Sequence, residues 1–182
     1  MSAPIGPDLA HRVRRLEDRA ALRDLSNDYC RAVDDRDLTA LGELFCVDGE
    51  FEHADGAMRA VGRRAVLEFY RERFVGMGPS VHIAHAQRLD VLDTESAAGT
   101  VTGTAQMAIA GRVIVGAIRY ADTYRRSDTG WRFAARSLRF WYLLPLDELP
   151  YRLGEQNRRR WPDAPGPVLL PESVPTWREF YG

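Results

Sequence analysis

The stretch DTYRRSDTGWRFAARSLRFWY, Asp122 to Tyr142, decides the fold. It holds the end of one alternating, β-branched and aromatic run and the start of another, separated by Ser127 to Gly130. Two such runs around a short turn predict an antiparallel pair of strands. Working back toward the N-terminus, the same period of two recurs. The four runs are Val81 to Leu92, Gly99 to Ile109, Arg112 to Arg125 and Trp131 to Leu144. Their connections, Asp93 to Ala98, Ala110-Gly111 and Ser127 to Gly130, are too short for crossovers, so the strands form a consecutive antiparallel meander.

Ahead of the meander the period changes to three and four. Val13, Leu16, Ala20, Leu22, Leu25, Tyr29 and Val33 mark an amphipathic helix over Leu9 to Val33. Asp37 stands as the N-cap of a short second helix through Leu38, Leu41, Leu44 and Phe45. Asp48-Gly49 and Asp55-Gly56 read as turns that bracket Glu50 to His53, with Met58 to Val61 completing a small hairpin. Gly62 opens a third helix, Arg63 to Phe74, which Gly76, Gly78 and Pro79 stop. Helices followed by strands predict an α+β domain, with the helices on one face of a curved sheet. The domain covers residues 9–144, and the Pro-rich tail, 145–182, is expected to wrap over it or over a neighbouring subunit, anchored by Trp161, Trp177, Phe180 and Tyr181.

Composition narrows the function. Lys and Arg number 25 against 26 Asp and Glu, so no global field favours nucleic acid or an anionic membrane. No apolar run reaches the ~18 residues of a membrane span, and Met1 to Pro7 lacks the order of a signal peptide. Cys30 and Cys46 form no CxxC motif, and a cytoplasmic protein with reduced thiols is expected. His82 and His85 are three apart on a strand and therefore face opposite ways, which argues against a shared metal; no metal or other cofactor is expected.

Three places carry candidate chemistry. Asp34 and Asp35 stand where the first helix ends, although acids in such positions often serve only as turn formers in water. His82 or His85 can face the interior. Arg136 lies within an apolar, aromatic strand, where a guanidinium needs a carboxylate or a ligand anion unless its head snorkels to solvent.

With these residues in place, the signature DL..L..LF..DGEFE, the histidine strand and the DTYRRSDTGWRFAARSLRFWY ending resemble the SnoaL-like branch of the nuclear transport factor 2-like superfamily over about residues 9–144. The resemblance is strongest to the group containing scytalone dehydratase, hexachlorocyclohexane dehydrochlorinase and bile-acid dehydratase. It implies a cone-shaped α+β barrel, its sheet mainly antiparallel, enclosing an apolar pocket. It also implies a catalytic Asp34–His82 dyad, an assisting Arg136 and a polar pocket residue at Tyr29. Phe51, Phe69, His85, Met107, Ile118, Tyr120, Phe140 and Tyr142 are the expected substrate-binding residues. The implied activity is a cofactor-free lyase of the dehydratase kind, acting on a hydrophobic cyclic, polyketide or steroid-like small molecule. An isomerase or polyketide cyclase would use the same proton abstraction. A non-catalytic assembly subunit, like the small subunit of ring-hydroxylating dioxygenases, is the alternative from another class. Relatives are dimers or trimers, so a homo-oligomer is expected, associating through the sheet at Val113, Val115 and Trp131 or through the opposite set.

Overall fold

The computed structural model describes residues 7–160 and 166–181. Helix α1 runs Pro7–Asp34 and α2 runs Leu38–Leu44; strands β1 (Phe45–His53) and β2 (Arg59–Val61) follow, then α3 (Arg63–Val75). The four long strands are β3 (Ser80–Leu92), β4 (Ser96–Ile109), β5 (Arg112–Ser127) and β6 (Gly130–Pro145). Two short helices, α4 (Leu149–Arg152) and α5 (Pro175–Tyr181), lie in the tail.

The six strands form one sheet in the order β2-β1-β6-β5-β4-β3. The meander pairs antiparallel, as the short turns require, and the β1–β6 pair alone is parallel. The β4–β5 turn is the tightest: Ala110 and Gly111 both adopt positive φ, as a two-residue hairpin turn of the right twist demands. Register shifts at Ala84/Ala86, Leu89/Val91, Ala117/Ile118 and Thr123/Tyr124 mark bulges. Such bulges bend strands, and they let the sheet curl around the helices.

The core lies between that curled face and α1, α2 and α3. Leu22, Leu25, Tyr29 and Val33 of α1 are buried against Leu41, Val66, Tyr70, Val101, Phe133 and Leu143. The predicted face of α1 needs correction at its start, since Val13 and Leu16 are 42% and 66% exposed. A helix of this length spans about 42 Å, and its first turns overhang the sheet. Asp37 caps α2 as expected, its Oδ1 accepting from the Ala40 N–H at 2.8 Å.

Asp48-Gly49 is not a turn. It lies inside β1, at an irregularity in the pairing with β6 between Phe45 and Glu50. A Cβ on Gly49 would come 3.0 Å from the carbonyl oxygens of Cys46 and Phe133, so glycine admits the close approach of backbone there. The expected hairpin forms beyond it, with Glu50 opposite Val61 and Phe51 opposite Ala60. Val115 and Trp131, expected on an exposed sheet face, are buried, whereas Val113 is exposed. Trp131 is held by its Nε1–H donating to Asp18 at 3.0 Å.

The tail is fastened differently from expectation. Trp177, Phe180 and Tyr181 are exposed on α5, and Trp161 lies outside the described residues. Among the described residues the tail is anchored by Leu170, fully buried, and by Arg158, whose guanidinium donates to the carbonyls of Trp141 and Leu170 and to both carboxylate oxygens of Glu172. An Arg fork in a buried setting can satisfy several acceptors at once.

Candidate functional site

The site begins at the end of α1. The helix stops at Asp34, and the turn Asp35-Arg36 follows with Arg36 in the left-handed region at φ 61°. That conformation is uncommon for a residue with a side chain, and here it is over-determined. Arg36 donates to the carbonyls of Val33, Asp34 and Gly78 and, at 2.8 Å, to Ser80 Oγ. Its guanidinium also lies 4.7 Å from the centre of the Phe74 ring. The turn is thereby locked to the start of β3.

Across that lock the Asp34 carboxylate meets three hydrogen-bonding groups from two residues. Ser80 Oγ donates to Oδ1 at 2.8 Å, His82 Nδ1 lies 2.6 Å from Oδ1, and the His82 backbone N–H donates to Oδ2 at 2.6 Å. Burial alone would raise the Asp34 carboxyl; the hydrogen bonds from the His82 ring, the His82 backbone and Ser80 outweigh it and hold the group below its usual range. The carboxylate is thus charged and aimed at one imidazole nitrogen. With Nδ1 so engaged, the ring keeps its proton there and presents Nε2 as an acceptor.

His82 lines an apolar cavity in the hollow of the sheet, together with Tyr29, Val33, Phe51, His53, Phe69, Tyr70, Phe74, Met77, Met107, Ile118, Tyr120 and Phe140. The cavity volume is ≈ 70 Å³. Phe51, Phe69, Met107, Ile118, Tyr120 and Phe140, expected to bind substrate, all stand on this lining. His85 and Tyr142 do not line it. His85 sits in the Ala84/Ala86 bulge, exposed, with Nε2 3.0 Å from Thr104 Oγ1. The odd spacing from His82 sends it to the outer face.

Arg136 also needs a correction of place. It does not stand among the lining residues but behind them, 1% exposed, with Nε and NH2 donating to Asp122 Oδ1 and Oδ2 at 2.9 and 2.8 Å. Of the partners its charge could have, the strand supplies the carboxylate itself, one register opposite on β5. Burial works against its charge, yet the adjoining Asp122 carboxylate prevails and holds the guanidinium well above its ordinary pKa. NH1 has no hydrogen-bond partner among the described residues. The rings of Tyr120, Tyr29 and Phe133 instead surround the guanidinium, with centres 4.0, 4.1 and 4.1 Å away. Tyr124 donates to Asp122 Oδ2 at 2.8 Å and accepts from Gln87, completing a buried network.

Three residues at the site were missed by sequence reasoning. Tyr70 of α3 hydrogen-bonds the Tyr29 hydroxyl at the cavity wall, and its face position at i+4 from Val66 marked it only as core. Burial pushes the hydroxyls of Tyr70 and Tyr120 well above their usual pKa and raises Tyr29 as well, with the Arg136 charge pulling the other way. Ser80 carried no signal beyond its place two residues before His82. His53 lay in plain view at the end of a predicted strand, and the period of two from Phe51 was the available clue. Among the described residues no group of three or more His, Cys, Asp and Glu is placed to hold a metal ion, and no helix is long and apolar enough to cross a membrane. Cys30 and Cys46 are both free.

Solved structures share this arrangement of helices and sheet. LinA, a hexachlorocyclohexane dehydrochlorinase, is 25% identical and superposes with a TM-score of 0.69 over 74% of this chain and 92% of its own. A protein of Novosphingobium aromaticivorans described as an aromatic ring hydroxylase by proposal is 25% identical, with a TM-score of 0.68 over 71% of this chain and 94% of its own. Another from the same organism, proposed as a scytalone dehydratase, is 22% identical, with a TM-score of 0.65 over 69% and 85%. No curated protein matches the chain in sequence. The SnoaL-like domain family matches residues 14–137, which span α1 through the middle of β6 and include Asp34, His82 and Arg136. With more than half of the chain matched and the fold shared, the chain belongs to the SnoaL-like domain family, of nuclear transport factor 2-like fold.

Proposed function

We propose that the protein is a cofactor-free lyase that dehydrates an apolar cyclic small molecule, with His82 as general base and Asp34 as its orienting carboxylate. The observation that carries this reading is the 2.6 Å contact of His82 Nδ1 with Asp34 on the wall of an apolar cavity. His82 Nε2 takes the proton from carbon beside a carbonyl or its vinylogue, and Asp34 stabilises the imidazolium so formed. The electron pair of the broken C–H bond moves toward the carbonyl oxygen. The Tyr29–Tyr70 hydroxyl pair stands on the cavity wall to meet that charge. Collapse of the enolate expels the β-hydroxyl, which leaves with the imidazolium proton as water, and the carbon–carbon double bond remains. Arg136 acts from behind the wall, positioning Tyr29 and Tyr120 through their ring faces rather than touching the substrate.

The dehydrochlorinase likeness supports an elimination of this kind, as both reactions begin by removing a proton from carbon. Asp34→Asn and His82→Ala should each lower turnover by at least the ~10²-fold that general-base catalysis contributes, with ligand binding and fold retained. Near wild-type turnover in either variant on an identified substrate would end the proposal. The second reading, an assembly subunit, draws on the ring-hydroxylase-like neighbour. Co-purification with a larger iron–sulfur subunit, and binding of no small molecule at His82, would favour it. We further propose a homo-oligomer, since Val81, Ile83 and Val113 on the long strands are each about half exposed.

A further inference from the structure

His53 and Arg73 are polar residues of the cavity lining that neither the dyad nor the tyrosine pair uses, and His53 is the one set among aromatic rings. It ends β1, and its ring lines the cavity among Phe51, Phe69 and Phe140, with ring centres 6.1, 6.3 and 5.8 Å away. All three contacts are edge-on, so the imidazole is fixed in place by packing. The ring makes no hydrogen bond with any described residue, although its backbone pairs normally with Met58 and Gly56. The ring is half-buried, and its nitrogens are left open to a ligand or water on the cavity side.

Its place in the sheet adds the geometric half of the case. In the order β2-β1-β6-β5-β4-β3, His53 on β1 and His82 on β3 are four strands apart, about 19 Å measured along the sheet at ~4.8 Å per strand. The curl of the sheet turns both residues into one cavity, so they stand on opposite walls.

We propose that His53 is a specificity residue that hydrogen-bonds a hydroxyl or carbonyl oxygen of the ligand at the end remote from His82. The ligand class is then an apolar ring compound with two oxygen functions, one beside the carbon that His82 deprotonates and one read by His53. Burial, with help from the Arg73 and Arg159 charges and against that of Asp55, lowers the His53 pKa to about 4. The imidazole is therefore neutral at ordinary pH, with one N–H to donate and one nitrogen to accept.

The inference rests on the cavity being the ligand site, and a binding measurement separates its failure from that of the dyad. The probes are 2-naphthol and naphthalene, which differ by one hydroxyl, measured by equilibrium dialysis at pH 7.5. The wild type and Asp34→Asn should bind 2-naphthol about 5- to 10-fold more tightly than naphthalene, the range of one net hydrogen bond. His53→Phe should bind the two within about twofold, and His53→Gln, which keeps a donor and an acceptor, should retain the preference. A purely packing role for His53 would instead move both affinities together. In parallel, the ring ¹⁵N signals of His53 in the wild type, assigned by their loss in His53→Gln, should shift with 2-naphthol and not with naphthalene. An undiminished preference in His53→Phe, an unshifted His53 ring, or no binding of either probe by the wild type overturns the proposal.

Discussion

At Arg136 the chain buries a full charge, and the consequences are specific. Both members of the Arg136–Asp122 pair are essentially without solvent contact, at 1% and 0% side-chain exposure. Removing one member leaves the other buried and unpaired, which costs about 3–5 kcal/mol. Arg136→Met should therefore lower stability in urea by that amount, and adding Asp122→Leu should restore a good part of it. An Arg136→Met variant as stable as wild type would show the pair to be solvated in solution. Arg136 was legible in the sequence as a charge needing a partner; its partner was not. Asp122 and Arg136 lie on neighbouring strands, and only the strand register brings them opposite.

His53 gives a pH signature at the same scale. Its folded-state pKa of about 4 lies below the ordinary 6.5. Above pH 6.5 neither state is protonated and stability is unaffected. Between about 6.5 and 4 the unfolded chain takes a proton that the folded chain refuses, so stability falls as pH falls. The full effect is about 3 kcal/mol by the linkage relation, reached near pH 4. Asp34, held below its usual range, removes further stability at still lower pH. His53→Phe should flatten the curve of unfolding free energy between pH 6.5 and 4.5 relative to wild type, while an unchanged slope there would place the His53 pKa near its ordinary value.

At the scale of elements, β3 carries the base and β4 holds β3 in place. Gly103 pairs with Ala84, and a Cβ on it would stand 2.5 Å from the Ile83 carbonyl oxygen, next to His82. Backbone cannot give way cheaply, so Gly103→Ala should cost about 1–3 kcal/mol and lower activity through displacement of His82. A wild-type denaturation midpoint in that variant would mean that the two strands are farther apart than described. The meander was readable because short polar turns between period-two runs leave few topologies open. Asp48-Gly49 was misread because the same dipeptide serves turns and strand irregularities, and nothing local distinguishes them. The lock made by Arg36 was invisible for a related reason: its partners at Gly78 and Ser80 are more than forty residues away.

For the whole molecule, the helices-then-meander order and the placing of an Asp at a helix exit, a His on the first long strand and aromatic walls between them were all legible. The enclosure itself was not, because curvature comes from bulges whose positions leave no signature in composition. In the described part of the tail the fastening is done by Arg158 and Leu170, whose partners are distant in sequence, while Trp177, Phe180 and Tyr181 are exposed. Light scattering coupled to size exclusion should give a mass of two or three chains of 20.6 kDa, and charged substitutions at Val81 and Ile83 should reduce it. A monomer at micromolar concentration would remove the proposed sheet interface.

Elimination, isomerisation and cyclisation share one first step in this cavity, the transfer of a proton from carbon to His82. That step can be followed without the natural substrate, by the exchange of the acidic C1 hydrogens of 2-tetralone for deuterium in buffered D₂O. Wild-type protein should accelerate the exchange above the buffer rate, and Asp34→Asn should lose most of that acceleration, by about 10²-fold or more. Exchange at the buffer rate with wild type, or undiminished exchange with Asp34→Asn, would contradict the account.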